Sequence, residues 1–165
     1  MTTVTVVGAG AGGAAAVTEL SLAGHEVRWW NRTDTTIAPF REAGGVRYEG
    51  VLGEGFAQTA AFVADLGAAL ASSDLALVCL PSLAHEAVAN ALADAGVRCP
   101  VLLNPGHTGG ALHVAEIFHS RGFAAPALVE FSTLTYVARK PAPDTVRITG
   151  AARRVWARSS PAKPS

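Results

Sequence analysis

A cluster of glycines near the start of the chain constrains this sequence more than any other feature. Val4 to Val7 is a run of β-branched residues, and Gly8, Gly10, Gly12 and Gly13 follow it at once. Such a run bounded by glycine reads as a buried strand ending in a tight turn. From Ala11 to Leu22 the pattern becomes alanine-rich and helical, Ala23-Gly24 stops it, and Glu26 to Trp30 opens a second extended run. Strand, helix and strand within about thirty residues form a βαβ unit. Gly8-Ala9-Gly10-Ala11-Gly12-Gly13 then satisfies G-x-G-x-x-G, with Gly8, Gly10 and Gly13 in the three positions. In that setting Gly8 permits the turn, Gly10 lets backbone approach a pyrophosphate, and Gly13 lets helix and strand pack closely. Free N–H groups and the positive end of the helix dipole complete a phosphate cradle. A glycine-rich turn with no ligand is the competing reading, and the strand before and helix after the motif count against it.

The rest of the chain continues the alternation. Thr35 to Ala43 reads as a short helix ended by Gly44-Gly45, and Val46 to Phe56 as a hairpin or irregular strand pair. Asp65 caps a small helix to Ala71, Leu75 to Leu80 is an apolar strand broken at Pro81, and Ser82 caps a helix to about Ala95. Val101 to Leu103 is the next strand, Asn104-Pro105-Gly106 its turn, and Ala111 to Arg121 a further helix before Gly122. Ala127 to Phe131 closes the series, with Tyr136 to Arg139 and Thr145 to Thr149 as later strands. Strands separated by helical crossovers predict an α/β fold: a Rossmann-type, doubly wound, mostly parallel sheet with helices on both faces.

At 165 residues the chain has room for one full domain. The expected division is a nucleotide-binding domain over 1–150 and a basic Pro/Ser tail over 151–165, with the composition of a linker. Thirteen basic residues balance thirteen acidic ones, which removes the electrostatic footprint of a nucleic-acid binder. Arg153, Arg154, Arg158 and Lys163 lie in the tail and every acid lies before it. No apolar run approaches the ~18 residues of a membrane span, and no basic leader precedes the first strand. Cys79 and Cys99 form neither a disulfide framework nor a metal spacing, so a reducing, cytoplasmic location is expected.

The end of the second strand selects the nucleotide, because a carboxylate there accepts from the ribose 2′-hydroxyl and repels a 2′-phosphate. This chain has Asn31-Arg32-Thr33 instead, eighteen residues and more beyond Gly13. Arg32 offers a fixed positive fork, so NADP is preferred and NAD is the alternative, with Asp34 or Asn31 then taking the ribose. Leu80, Pro81 and Ser82, at the carboxyl end of a central strand, are expected to line the cofactor, with His85 either facing the same crevice or solvated. The loop Asn104-Pro105-Gly106-His107-Thr108-Gly109-Gly110 is the candidate for the nicotinamide, its backbone donors facing the crevice. His107 is a candidate general acid/base, set below a surface or structural role because nothing partners it. His113, Glu116 and His119 recur every three residues and read as a solvated helix face rather than a metal site.

Beyond the glycine motif, four blocks resemble the NAD/NADP-dependent opine dehydrogenases of the octopine and nopaline type. They are Val4 through Gly13; Leu77-Val78-Cys79-Leu80-Pro81-Ser82 with His85-Glu86; Leu103-Asn104-Pro105-Gly106 with Gly109-Gly110-Ala111-Leu112; and Glu130-Phe131-Ser132-Thr133-Leu134 with Tyr136 and Arg139. The first block is shared with ketopantoate reductases and glycerol-3-phosphate dehydrogenases; the Asn-Pro-Gly-x-x-Gly-Gly loop is more selective. The resemblance implies an oxidoreductase acting on CH–NH or CH–OH donors, which reductively condenses an amino acid with a 2-keto acid. In that family a second, helical domain supplies the catalytic pair and most of the substrate site. Nothing here matches it, so this chain is expected to bind cofactor without being competent alone, and to expose an apolar docking face that favours dimerisation. Thr135 stands where the family commonly has Pro, and His107 where Arg is common. A free-standing nucleotide-binding sensor or partner protein is the second reading.

Overall fold

Hydrogen-bonding demands and apolar patterning resolve into two sheets. The computed structural model describes residues 1–160, with the side chain of Ser160 excepted; Pro161, Lys163, Pro164 and Ser165 of the expected tail lie outside the described residues. Six parallel strands form the main sheet: β1 (Thr3–Val7), β2 (Glu26–Trp30), β5 (Ala61–Phe62), β6 (Leu75–Val78), β7 (Val101–Leu103) and β8 (Leu128–Phe131). Their spatial order is β8-β7-β6-β1-β2-β5. The order in which successive strands are laid down reverses between β1 and β6, as in the doubly wound dinucleotide-binding topology. The helices are α1 (Ala11–Leu22), α2 (Asp34–Ala43), α3 (Leu66–Leu70), α4 (His85–Asp94) and α5 (Gly110–Ser120). Two buried clusters, one on each face of the sheet, make the core.

A second sheet was not anticipated. It has the order β4-β3-β10-β9, from β3 (Gly45–Gly50), β4 (Gly55–Gln58), β9 (Tyr136–Ala142) and β10 (Thr145–Ala151). The expected hairpin between Val46 and Phe56 is β3 and β4, and the late strands are β9 and β10, but they pair with each other across the sequence rather than extend the main sheet. Helix α1 is thereby enclosed. Gly13, Ala14, Ala15, Ala16, Val17 and Thr18 are all buried in succession, which no one-sided helix achieves. Its alanines let backbone approach backbone on both sides.

Other differences are local. Strand β5 is only two residues long and follows the hairpin, too short for any periodicity to register. Ser82 does not cap a helix: Ser82–Ala84 is a single 3-10 turn without a side-chain cap, and α4 begins at His85. Asp65 does cap α3, its Oδ1 accepting from the Ala68 N–H at 2.7 Å. The tail reading fails over part of its length, because β11 (Ala157–Ser160) adds antiparallel to β8 at the sheet edge. Composition suggested a linker there; the open edge of β8 offers backbone partners that composition does not report.

Trp29 anchors the first turn. Its indole is fully buried, packs tilted against Phe40 with ring centroids 4.6 Å apart, and donates from Nε1 to the Gly8 carbonyl at 2.9 Å. A Cβ on Gly13 would stand 2.0 Å from that same carbonyl oxygen. Gly13→Ala is expected to lower the unfolding free energy by roughly 1–3 kcal/mol or to prevent folding, read by urea denaturation; an unchanged midpoint would contradict the contact.

Candidate functional site

The carboxyl ends of β1 and β6 meet at the switch point, and the glycine loop sits over them. The Cys79 N–H donates to the Val7 carbonyl and the Gly8 N–H to the Trp30 carbonyl, each at 2.9 Å. Gly8 has φ +113°, and a Cβ there would lie 2.7 Å from the Cys79 carbonyl oxygen. Only glycine fits that approach. Gly10 differs: it is extended, and a Cβ on it would meet nothing within 4 Å. It opens onto free space at the head of α1.

No side chain caps α1 and no acidic residue occupies its first turn. The first amides of a helix lack partners within the helix, so the N–H groups around Ala11 to Gly13, with the positive dipole end, are held for something from outside. Beside them lies a cavity of about 270 Å³ bordered by Gly10, Asn31, Arg32, Thr33, Thr36 and Leu80. Five of the residues expected at a nucleotide site thus converge; Thr36 and the α4 residue Val88 on the opposite wall carry no sequence signal beyond a helical position.

Asn31 is committed to the loop itself. Its Oδ1 accepts from the Ala9 N–H at 3.0 Å and its Nδ2 donates to the Thr33 carbonyl at 2.8 Å. It clamps the glycine turn to the end of β2. Arg32 is exposed and, among the described residues, has no carboxylate partner. The alternative ribose ligand, Asp34, opens α2 and receives Arg41 at 2.5 and 3.0 Å. The hydrogen bond from Arg41 holds its carboxyl below the usual range. That carboxylate is occupied.

The second loop corrects an expectation. Asn104 is buried; its Nδ2 donates to Thr135 Oγ1 at 2.8 Å and its Oδ1 accepts from the Thr135 N–H at 3.1 Å. Pro105, after a cis peptide bond, and Gly106 are buried as well. The Gly106 N–H donates to the Phe131 carbonyl at 3.0 Å, and the Gly109 and Ala111 N–H groups to Glu130, at 3.4 and 2.8 Å. These donors face inward, not the crevice, because the buried Glu130 carboxylate occupies the N-terminus of α5. A Cβ on Gly106 would be 2.3 Å from Glu130 Cβ. Glu130 was read only as part of a family block. The signal for its role was a lone acid in an otherwise apolar strand.

His107, at φ +55° and exposed, rims a second cavity of about 560 Å³ with Thr108, Ser132, Trp156 and Arg158. Trp156 was not singled out and Arg158 counted only as tail charge, because both lie in the stretch taken for a linker. Pro81 and Ser82 are exposed beside the crevice, and His113, Glu116 and His119 are exposed on α5 as expected. His85 faces neither solvent nor the open crevice: it is buried. Burial pushes the Cys79 thiol up to about 12, so it stays protonated and unreactive. Replacing Glu130 with Ala should uncap α5 and cost about 1–3 kcal/mol, with Glu130→Gln losing less, in thermal or urea unfolding; two equally stable variants would contradict this role.

Three comparisons place this geometry among known proteins. The opine dehydrogenase of Arthrobacter sp. (strain 1C) is 29% identical over 147 residues, covering 88% of this chain and 41% of that protein. Octopine dehydrogenase, solved with NADH and L-arginine, superposes with a TM-score of 0.80 at 20% identity, over 99% of this chain and 43% of that one. Yersinopine dehydrogenase with NADP+ bound gives 0.76 at 14% identity, over 95% and 41%. The chain therefore spans less than half the length of these relatives. The glycine loop, the switch-point crevice and the loop after β7 all fall within the 4–156 stretch that matches the ketopantoate reductase PanE/ApbA family, and the chain belongs to that family.

Proposed function

We infer that this domain binds a nicotinamide dinucleotide, with NADP(H) preferred over NAD(H). The carrying observation is the open head of α1: unlike α3 and α5, it has no side-chain carboxylate on its first amides. Gly10 has free space in front of it and an unpaired Arg32 stands at the rim of the adjoining cavity. A pyrophosphate fits where Asp65 and Glu130 serve the other two helices. Octopine dehydrogenase has been solved with NADH and yersinopine dehydrogenase with NADP+.

In this reading the backbone of Gly8, Gly10, Ala11 and Gly13 receives the pyrophosphate. Arg32 and Thr33, steadied by Asn31, take the adenosine ribose and its 2′-phosphate. Leu80, Pro81 and Ser82 border the middle of the crevice, and Asn104, Pro105 and Gly106 form the floor toward the nicotinamide. The bound cofactor supplies hydride. The residues of this chain bind and orient it, and the paired Asn104–Thr135 hydrogen bonds fix the floor to the start of β9.

The parent reaction is the reductive condensation of an amino acid with a 2-keto acid: the amine and carbonyl lose water, and hydride plus a proton complete the secondary amine. The second cavity, beside the loop after β7, is the space on this domain for such substrates. Proton transfer is assigned to a further domain rather than to His107, which is solvated at the cavity rim. Trp156 and Leu112, both exposed, are the apolar face for that domain or for a second copy of this chain. No helix among the described residues is long and apolar enough to cross a membrane, and the two free thiols suit a cytoplasmic setting. The second reading is a free-standing nucleotide-binding partner protein, favoured if the isolated chain is monomeric with a well-behaved surface.

Calorimetric titration with NADPH and NADH tests the reading. NADPH is expected to bind more tightly, and Arg32→Ala to weaken NADPH by tenfold or more with little effect on NADH; an equal loss for both removes Arg32 from the 2′-phosphate. Gly10→Val should leave the unfolding free energy within about 1 kcal/mol of the parent while abolishing binding of both nucleotides. Retained binding in that variant would place the pyrophosphate elsewhere.

A further inference from the structure

One buried titratable group is left unused by the cofactor reading. His85, the first residue of α4, is 1% exposed. Its ring lies so close to the first turn of α5 that a Cβ on Gly110 would be 3.3 Å from Nδ1 and 3.4 Å from Cε1. The backbone carbonyls of Leu80 and Pro105 face the ring, while Nε2 is buried with no hydrogen-bond partner among the described residues. A single imidazole therefore touches the loop after β6, the loop after β7 and the start of α5. These segments form one side of the crevice.

Packing alone does not account for a histidine here. A buried polar atom without a partner costs about 1–3 kcal/mol, and an apolar side chain of similar volume would avoid that cost. The carbonyls are acceptors only. A neutral ring can carry its one N–H on Nδ1 and leave Nε2 bare; the imidazolium puts an N–H on Nε2 as well, where no acceptor is in reach unless a neighbouring loop moves. Burial is the main force against that charge, with His107 on the loop and His113 on α5 adding repulsion; together they outweigh the carbonyls and hold the ring below the ordinary histidine range. Glu86, next on α4, is exposed, Cys79 stays protonated through this range, and the Glu130 carboxylate is held by the amides of α5.

We propose that His85 is a positioning residue that couples the crevice to pH: the neutral ring sets the spacing of the loops after β6 and β7 that admits the dinucleotide, and the imidazolium disturbs it. This rests on the cofactor reading above. The sign follows from linkage. If the complex requires the neutral ring, bound cofactor lowers the His85 pKa further, and affinity falls by up to tenfold for each pH unit below the pKa of the free protein. Nothing is lost above it.

The experiment is an NMR titration of the histidine side chains of the whole chain, with and without saturating NADH, alongside NADH affinity from pH 7.5 to 5.5. NADH is chosen because it lacks the 2′-phosphate, whose own ionisation near pH 6 would overlap. The His85 resonance is expected to titrate at lower pH in the complex. Wherever the pH passes below the free-protein His85 pKa found in that titration the affinity of the parent should fall, and that of His85→Gln should stay within about twofold. An identical His85 pKa with and without NADH, or an identical pH profile in the variant, overturns the proposal. If His85→Gln does not fold, the titration of the parent protein decides alone. Failure of both NADH and NADPH to bind at pH 7.5 removes the cofactor reading and this proposal with it, whereas binding without a shift removes only this proposal.

Discussion

The contact between Gly13 and the Gly8 carbonyl is the constraint from which the rest of the architecture follows. With no side chain at either position, α1 can start directly over the end of β1, and Trp29 closes the arrangement from β2 by donating to the same carbonyl. A Cβ at Gly13 would push the helix away from the sheet. The alanines that follow would then lose their contacts, because α1 is buried between the main sheet and the small one. Tyr136 on β9 ties the far side of that sandwich by donating to Glu19 on α1, with burial and the carboxylate together raising its pKa far above the phenolic range. Glycine spacing, alanine run and second sheet are therefore one device: an enclosed helix whose amino end is fixed at the switch point.

Two helix N-termini in this fold show opposite solutions to the same electrostatic problem. At α5 the amides are satisfied internally by Glu130, which reaches from β8 and is itself buried. At α1 nothing equivalent exists. An uncapped helix start beside a cavity is unfavourable unless water or a ligand completes it, and an anion is what the dipole favours. The contrast also explains why the amides of the loop after β7 are turned away from the crevice. That loop contributes shape and a buried floor, and its charge needs are met before any ligand arrives.

How much of this was legible in the residues depends on the range of the interaction concerned. The order of the elements apart from β5 and β11, the Gly8–Gly13 turn and the placing of Asn31, Arg32, Thr33 and Leu80 around one cavity rest on local pattern, and the structure has them there, with the start of α4 displaced from Ser82 to His85. Glu130 was read only within a family block, because a cap supplied from a strand nineteen residues beyond Ala111 leaves no mark beside the helix it serves. Strand β11 was missed for a related reason: serines, arginine and proline read as linker until an exposed edge is there to pair with. His85 was legible as a candidate; its burial depends on Gly110 having no side chain to displace it.

By itself the sequence determined the βαβ start, the alternation that makes a doubly wound sheet, and the identity of the residues at the nucleotide end of β1 and β2. These are consequences of periodicity and of glycine's lack of a Cβ, which act over a few residues. Only the tertiary structure decided that four later and earlier strands would form a separate sheet over α1, that Asp34 would be spent on Arg41 while Arg32 stayed free, and that α5 would be plugged while α1 stayed open. Each of those outcomes turns on which backbone edge or carboxylate a distant group finds first, and such pairings exist only once the chain has closed on itself.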